Sequence, residues 1–235
     1  MLRSLLLLLH DVTDFFLPNL CAACDHQLLR GEACICTSCQ MRLPLTRFRN
    51  GWDNPLFRQF AGRARIEQAS AFCHFTKGGR IQRLMHRLKY ANRPEIGLRL
   101  GQLYGHALVQ SDGFPTADLI LPVPLHKQRQ KVRGYNQSAC IAEGLSQTLS
   151  IPVRTDLLSR SRNTASQTRK SRFDRAGNVD SAFHVVDPIC LQGLHVILVD
   201  DVVTTGSTLV AVAETLLGQV PGVRVSIAAL AFARA

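Results

Sequence analysis

The sequence predicts an α/β protein, a parallel sheet flanked by helices, with a small cysteine-bound unit ahead of it. Three observations carry this. Short apolar runs at Ala69 to Phe75, Ala117 to Val123, Val196 to Val199 and Val223 to Phe232 alternate with segments of helical periodicity. That is the pattern of strands buried on both faces and joined by crossover helices. Four cysteines fall as two Cys-x-x-Cys pairs near the start of the chain. The Val196 run ends in two acids and a loop of small hydroxyl residues, and in parallel sheets ligands bind beyond the carboxyl ends of the strands.

With 235 residues, 46% hydrophobic and 19% charged, the chain can bury a sizeable core. Intrinsic disorder, collagen-like repeats and disulfide-only scaffolds are excluded. The 28 lysines and arginines against 17 acids give a formal charge of +11, which favours anionic partners: phosphates, nucleotides or nucleic acid.

Taken in order, Leu2 to Phe16 reads as an amphipathic helix with Leu5, Leu6, Leu9, Val12 and Phe16 near helical spacing, stopped by Pro18. His10, Asp11 and Asp14 interrupt the apolar run. It is therefore not read as a signal peptide, and it falls short of the roughly 20 apolar residues of a membrane span. No other segment approaches that length, so a cytoplasmic chain is expected, where thiols stay reduced.

Clustered cysteines then indicate metal. Cys21 and Cys24 with Cys36 and Cys39 form two knuckles able to present four thiolates to one tetrahedral ion, and zinc fits best. Cys34 and His26 are spare ligands. The isolated Cys73, Cys140 and Cys190 read as small core hydrophobes. Turn signals at Pro44, Asn50-Gly51 and Asn54-Pro55 place a boundary near residue 50, giving units 1–50 and 51–235.

Beyond the first strand, Ile81, Leu84, Met85 and Leu88 form the apolar stripe of a helix. Its opposite face carries Arg80, Arg83, His86 and Arg87, a solvated face or an anion site. Gly97 to Val109 continues as helix, and Asn136 to Leu149 is the helix after the second strand. A short segment at Ile151 to Arg154 precedes a long polar stretch to Asp180. A helix from about Ser207 to Leu217 separates the last two strands.

The strongest chemical signal is Val196-Ile197-Leu198-Val199-Asp200-Asp201-Val202-Val203-Thr204-Thr205-Gly206-Ser207-Thr208. Backbone N–H groups and hydroxyls from Thr204 to Thr208, at the positive end of a helix, make a cradle for a phosphate monoester. Gly206 permits close backbone approach. Adjacent Asp200 and Asp201 repel unless something cationic or hydrogen-bonding shares them, and sugar hydroxyls with a magnesium ion do so. A second site starts at Leu121-Pro122-Val123-Pro124-Leu125-His126-Lys127 and runs through Arg129, Lys131, Arg133, Gly134, Tyr135, Asn136 and Gln137. Here prolines at a strand end lead into dense cations suited to pyrophosphate. The third is Arg160 to Asn178, with Arg162, Arg169 and Lys170 as its leading contacts. It is too polar to pack and too long for a connector, so it reads as a lid or a solvated loop.

The Val196 to Thr208 stretch resembles the phosphoribosyl-pyrophosphate (PRPP) binding motif of type I phosphoribosyltransferases. With the cysteine prefix, the Pro-Val-Pro turn, Arg133 to Gln137, the Arg/Gln-rich loop ending Arg175-x-x-Asn178, and Phe183, the whole chain resembles the ComF/GntX family of phosphoribosyltransferase-like proteins. The resemblance implies a type I phosphoribosyltransferase fold over 51–235 behind a small four-cysteine zinc-binding unit. It also implies Asp200 and Asp201 on the ribose hydroxyls, and Thr204, Thr205, Gly206, Ser207 and Thr208 on the 5′-phosphate. The family is linked to DNA uptake in competence and to carbohydrate utilisation. The expected activity is PRPP binding with magnesium and phosphoribosyl transfer to a nitrogen acceptor. The rival is a module of the same fold that senses PRPP or a nucleoside 5′-monophosphate, or docks a DNA-processing partner. Direct single-strand binding ranks third, because aromatics are only 6% of the chain and such sites need stacking platforms. The 6-oxopurine enzymes of this fold carry an Asp two residues before the motif glycine, where this chain has Thr204, so efficient transfer to hypoxanthine or guanine is not expected.

Overall fold

The computed structural model describes residues 19–48, 51–111, 116–161 and 182–233. The expected helix from Leu2 to Phe16 and the lid contacts Arg162, Arg169 and Lys170 lie outside the described residues. The core is a four-stranded sheet with β1 (Gln68–His74), β2 (Leu119–Pro122), β5 (His195–Val203) and β6 (Arg224–Phe232). It runs in the order β1-β6-β5-β2, and every pairing is parallel. Val196 to Val199 are at most 1% exposed, as expected of a strand covered on both faces. The segment at 151–154 extends the β2 edge through a parallel bridge between Ile120 and Val153.

On one face lie α3 (Arg80–Tyr90), α4 (Pro94–Val109) and α6 (Gln137–Leu149). Their apolar stripes share one core cluster with the inward side chains Phe72, Ile120, Ile197 and Leu230. The other face is covered by α7 (Ser207–Gln219) and α2 (Pro55–Phe60). Helix α2 lies just after the boundary placed near residue 50, among the turn signals. Asn54 caps it by accepting from the Phe57 N–H at 2.9 Å, and Pro55 opens it. An antiparallel ribbon of β3 (Leu158–Arg160) and β4 (Phe183–Val185), not foreseen in the sequence, holds Ser161 and Ala182 together through a 3.1 Å backbone hydrogen bond.

The cysteine segment, including the short α1 (Thr37–Met41), packs into the same cluster as α3 and α4: Cys21, Ala22, Ile35 and Cys39 are buried beside Ile81, Leu84 and Leu88. The basic face of α3 is therefore neither purely solvated nor an anion site. Arg83 donates to the Ala23 carbonyl at 3.2 Å and Arg87 to that of Cys21 at 3.2 Å. Arg87 also pairs with Asp25 at 2.5 Å. Cys73 is a core residue as expected, whereas Cys140 is half-buried and Cys190 is exposed. Cys190 follows Pro188 in a short 3-10 turn whose buried residue is Leu191, so the core takes the leucine instead.

Candidate active site and metal centre

The site begins where two neighbouring strands part. β2 leaves the ladder after Pro122, with a last bond from the Val123 N–H to the Val199 carbonyl at 2.9 Å. β5 continues to Val203 against β6. Asp200 and Asp201 are thus bare on their β2 side, in the crevice this class of sheet offers to ligands. Helix α6 fills part of the gap. Its N-cap Asn136 accepts from the Ser138 N–H at 3.1 Å and donates to the Val123 carbonyl at 2.9 Å. That fixes the first turn so that Ser138 Oγ donates to Asp200 Oδ1 at 3.1 Å.

The same Asp200 oxygen accepts the Asp201 N–H at 2.9 Å. Burial, and then the negative charge of Asp201, hold the Asp200 carboxyl well above the usual carboxylate range. Asp201 is met by Lys89 at 2.7 Å. The hard oxygen donors of the pair suit a magnesium ion and sugar hydroxyls.

The loop after β5 turns into α7 at Gly206, whose φ of +71° makes it a left-handed cap. A Cβ there would lie 3.2 Å from the Phe60 ring, so glycine serves both conformation and close packing. Thr204, Thr205 and Ser207 are exposed and Thr208 half-exposed, which leaves the α7 N-terminus open to an anion. The turn is held from α2 and the residues after it. Gln59 donates to the Thr204 carbonyl at 2.5 Å, and Arg63 donates to the Thr205 carbonyl at 2.7 Å and to Ser207 Oγ at 3.3 Å. Neither residue is singled out by the sequence, because both lie in the turn-rich stretch with little periodicity.

The pyrophosphate set is divided by the structure. Lys127 and Arg133 stand at opposite ends of α5 (Lys127–Arg133), about 9 Å apart along its axis at 1.5 Å per residue. His126 caps the helix by accepting from the Gln128 N–H at 3.3 Å. Pro124, Leu125 and Lys127 line a cavity of about 810 Å³ together with Tyr135, Cys140 and Arg160. Arg133 faces a smaller cavity and is stacked over Tyr90 at 5.3 Å.

At the cysteine centre, the sulfurs of Cys21, Cys24, Cys36 and Cys39 lie within 4.8 Å of one another. Cys24 and Cys36 are 3.8 Å apart, matching the edge of about 3.8 Å for a tetrahedron with ~2.3 Å metal–sulfur bonds. The N–H groups of Ala23 and Cys36 donate to Cys21 Sγ at 3.4 and 3.3 Å. These bonds help bring its thiol down to about 7 against the opposing effect of burial. Cys34 turns away to the Glu95 carbonyl at 3.6 Å, and the His26 ring contacts the Cys24 carbonyl instead. The four-cysteine set thus fits a metal ion without either spare ligand.

A four-stranded parallel sheet with an acid pair and a Thr-Thr-Gly-Ser-Thr loop at the end of an inner strand is the arrangement expected of a type I phosphoribosyltransferase fold. Residues 136–235 match the family described as the phosphoribosyl transferase domain. Over 137 residues, 57% of this chain and 60% of each relative, the chain is 39% identical to DNA utilization protein YhgH of Salmonella typhi and 35% identical to Competence protein F of Haemophilus influenzae. Over 102 residues, 42% of this chain and 38% of the relative, it is 30% identical to Competence protein ComFC of Bacillus subtilis. The chain is similar to these competence and DNA-utilization proteins, and it spans 60% of the length of the first two.

Proposed function

We propose that the chain binds PRPP at the end of β5 and transfers its phosphoribosyl group to a nitrogen acceptor. The observation that carries this is the joint placement of Asp200 and Asp201 with the open α7 N-terminus one short loop away. Asp200 and Asp201 take the ribose hydroxyls. The N–H groups and hydroxyls of Thr204 to Thr208 take the 5′-phosphate, with the helix dipole adding to the attraction. Arg63 braces that loop. Asp200 and Asp201 would help hold a magnesium ion, whose charge would offset that of the pyrophosphate. The protein's part is to hold the ribose while positive charge develops at its anomeric carbon, stabilised by the nearby carboxylates.

The metal at Cys21, Cys24, Cys36 and Cys39 is read as structural zinc, since four protein ligands leave no open position. Residues 1–50 and 51–235 are read as an appended unit and the transferase-like domain. No helix among the described residues is long and apolar enough to cross a membrane. A cytoplasmic setting, consistent with free cysteines, belongs to the same reading, as does a role beside DNA-processing proteins, drawn from the relatives' names.

Turnover is tested by pyrophosphate release from PRPP with magnesium and a panel of nitrogen acceptors. We expect release with at least one acceptor, and none of consequence with hypoxanthine or guanine. Thr204 is exposed and its hydroxyl cannot exchange a ring proton near neutral pH as a carboxylate does. PRPP binding without pyrophosphate release in the presence of any acceptor would favour a sensing module on the same site. Rapid hypoxanthine-dependent release would refute the acceptor argument.

A further inference from the structure

Lys89 occupies the last turn of α3, where the sequence shows only one more cation on a basic helix. Its ammonium lies 2.7 Å from Asp201 Oδ2, and the two side chains are only 23% and 15% exposed. The neighbouring carboxylates are therefore satisfied in different ways. Asp200 is held by fixed dipoles, Ser138 Oγ and the Asp201 N–H, whereas Asp201 is held by a cation on a flexible four-carbon stem.

Lys89 also lines a cavity of about 430 Å³ with Tyr90, Lys131 and Arg133, and no acid is among its lining residues. Arg133 is fixed there. It stacks over the Tyr90 ring and donates to Gln137 Oε1 at 2.7 Å, while the His86 ring backs Tyr90 at 4.9 Å. Lys131 is exposed. The cavity is thus lined by one exposed cation, Lys131, by Arg133 held against Tyr90 and Gln137, and by a third cation diverted to Asp201.

We propose that Lys89 is a cation-exchange residue of the acid pair. In the structure its ammonium is paired with Asp201. When a divalent cation and sugar hydroxyls take that carboxylate, the ammonium turns into the Lys131–Arg133 cavity and completes a three-cation pocket for an oxyanion of the same ligand. This rests on the PRPP reading and extends it. An ammonium left beside a bound divalent cation is repelled, and an ammonium moved beside Lys131 and Arg133 is repelled unless an anion enters. Metal and anion therefore help each other to bind through one side chain, a reciprocal coupling between two places.

The test uses the whole chain with Mn²⁺ as the metal probe, read by its electron paramagnetic resonance signal, and PRPP binding read by calorimetry. Lys89→Gln should bind Mn²⁺ alone more tightly, by about fivefold, and bind PRPP in the presence of Mn²⁺ more weakly, by about tenfold. Lys131→Gln, at an exposed position that does not touch Asp201, should weaken PRPP binding and leave Mn²⁺ affinity unchanged. Opposite signs in Lys89→Gln support the exchange. Loss or gain of both affinities together, or no change in either, overturns it while the PRPP reading stands. A wild-type chain that binds no PRPP sinks that reading and the three-cation pocket with it, and Mn²⁺ alone then decides whether Lys89 competes for Asp201.

Discussion

His195 opens β5 at the end of the sheet away from the acids, 2% exposed, with Nε2 2.9 Å from Ser226 Oγ. Burial, followed by the charge of Arg224, holds its imidazole below the ordinary value of 6.5. The unfolded chain then binds more protons here than the native one just below that value, so stability falls as pH drops through 6.5 toward the lowered native pKa, and is complete above it. Urea unfolding midpoints measured between about pH 7.5 and 5 should decline more steeply for the wild type than for His195→Asn. Parallel curves would show that this histidine titrates alike in both states. Single residues differ in how readable they are. Asp200, Asp201 and Gly206 announce themselves within one short motif. Ser138 and Lys89 do not, because a serine in a first helical turn and a lysine on a basic helix have many ordinary uses. Their partner lies far along the chain: Ser138 and Asp200 are 62 residues apart.

Among the elements, α4 and α6 make the closest helix contact. Gly97, Gly101 and Gly105 recur every fourth residue on α4, facing Cys140, Gly144 and Thr148 of α6. A Cβ on Gly144 would stand 2.1 Å from the Leu98 carbonyl and 2.7 Å from the Gln102 N. Backbone cannot yield as a side chain does, so the helices would have to separate. Gly144→Ala should destabilise the protein by ~1–3 kcal/mol. Gly218→Ala, in the last turn of α7 with nothing within 4 Å, should raise stability by ~0.5–1 kcal/mol. Thermal melts of the two variants check both signs, and an unchanged melt for Gly144→Ala would contradict the seam. The α4 and α6 helices are readable from apolar periodicity, as are all four sheet strands. The role of the glycines is not, since close approach is visible only once the partner helix is known. Helices α2 and α5 escape for another reason: both are short and set in turn-rich or highly charged sequence, where periodicity has too few residues to register.

Across the whole molecule, α3 links two centres. Arg83 and Arg87 grip the carbonyls of the cysteine segment, while Lys89 at the same helix's end reaches the acid pair. Protein prepared without chelator should carry about one zinc per chain. Cys36→Ser should lose the metal, and Cys34→Ser should keep it. Chelation should lower hydrogen-exchange protection along α3, because a tetrathiolate centre without its ion has no reason to hold the two knuckles together. Full protection after metal removal would show that apolar packing alone secures the segment. The division between two cavities of the residues expected to bind pyrophosphate is likewise a property of the folded chain, since the sequence presents Pro124 to Arg133 as one continuous basic run.

If the acid pair at the end of β5 is a PRPP site, calorimetric titration of PRPP with and without magnesium tests it most directly. Replacing Asp200 and Asp201 together by Asn keeps their size and removes their charge. The wild type should bind PRPP in a magnesium-dependent way, and the double variant should bind it at least about tenfold more weakly, or ~1.4 kcal/mol, while remaining folded. A folded double variant that binds PRPP as tightly as the wild type, with the same dependence on magnesium, would contradict that assignment.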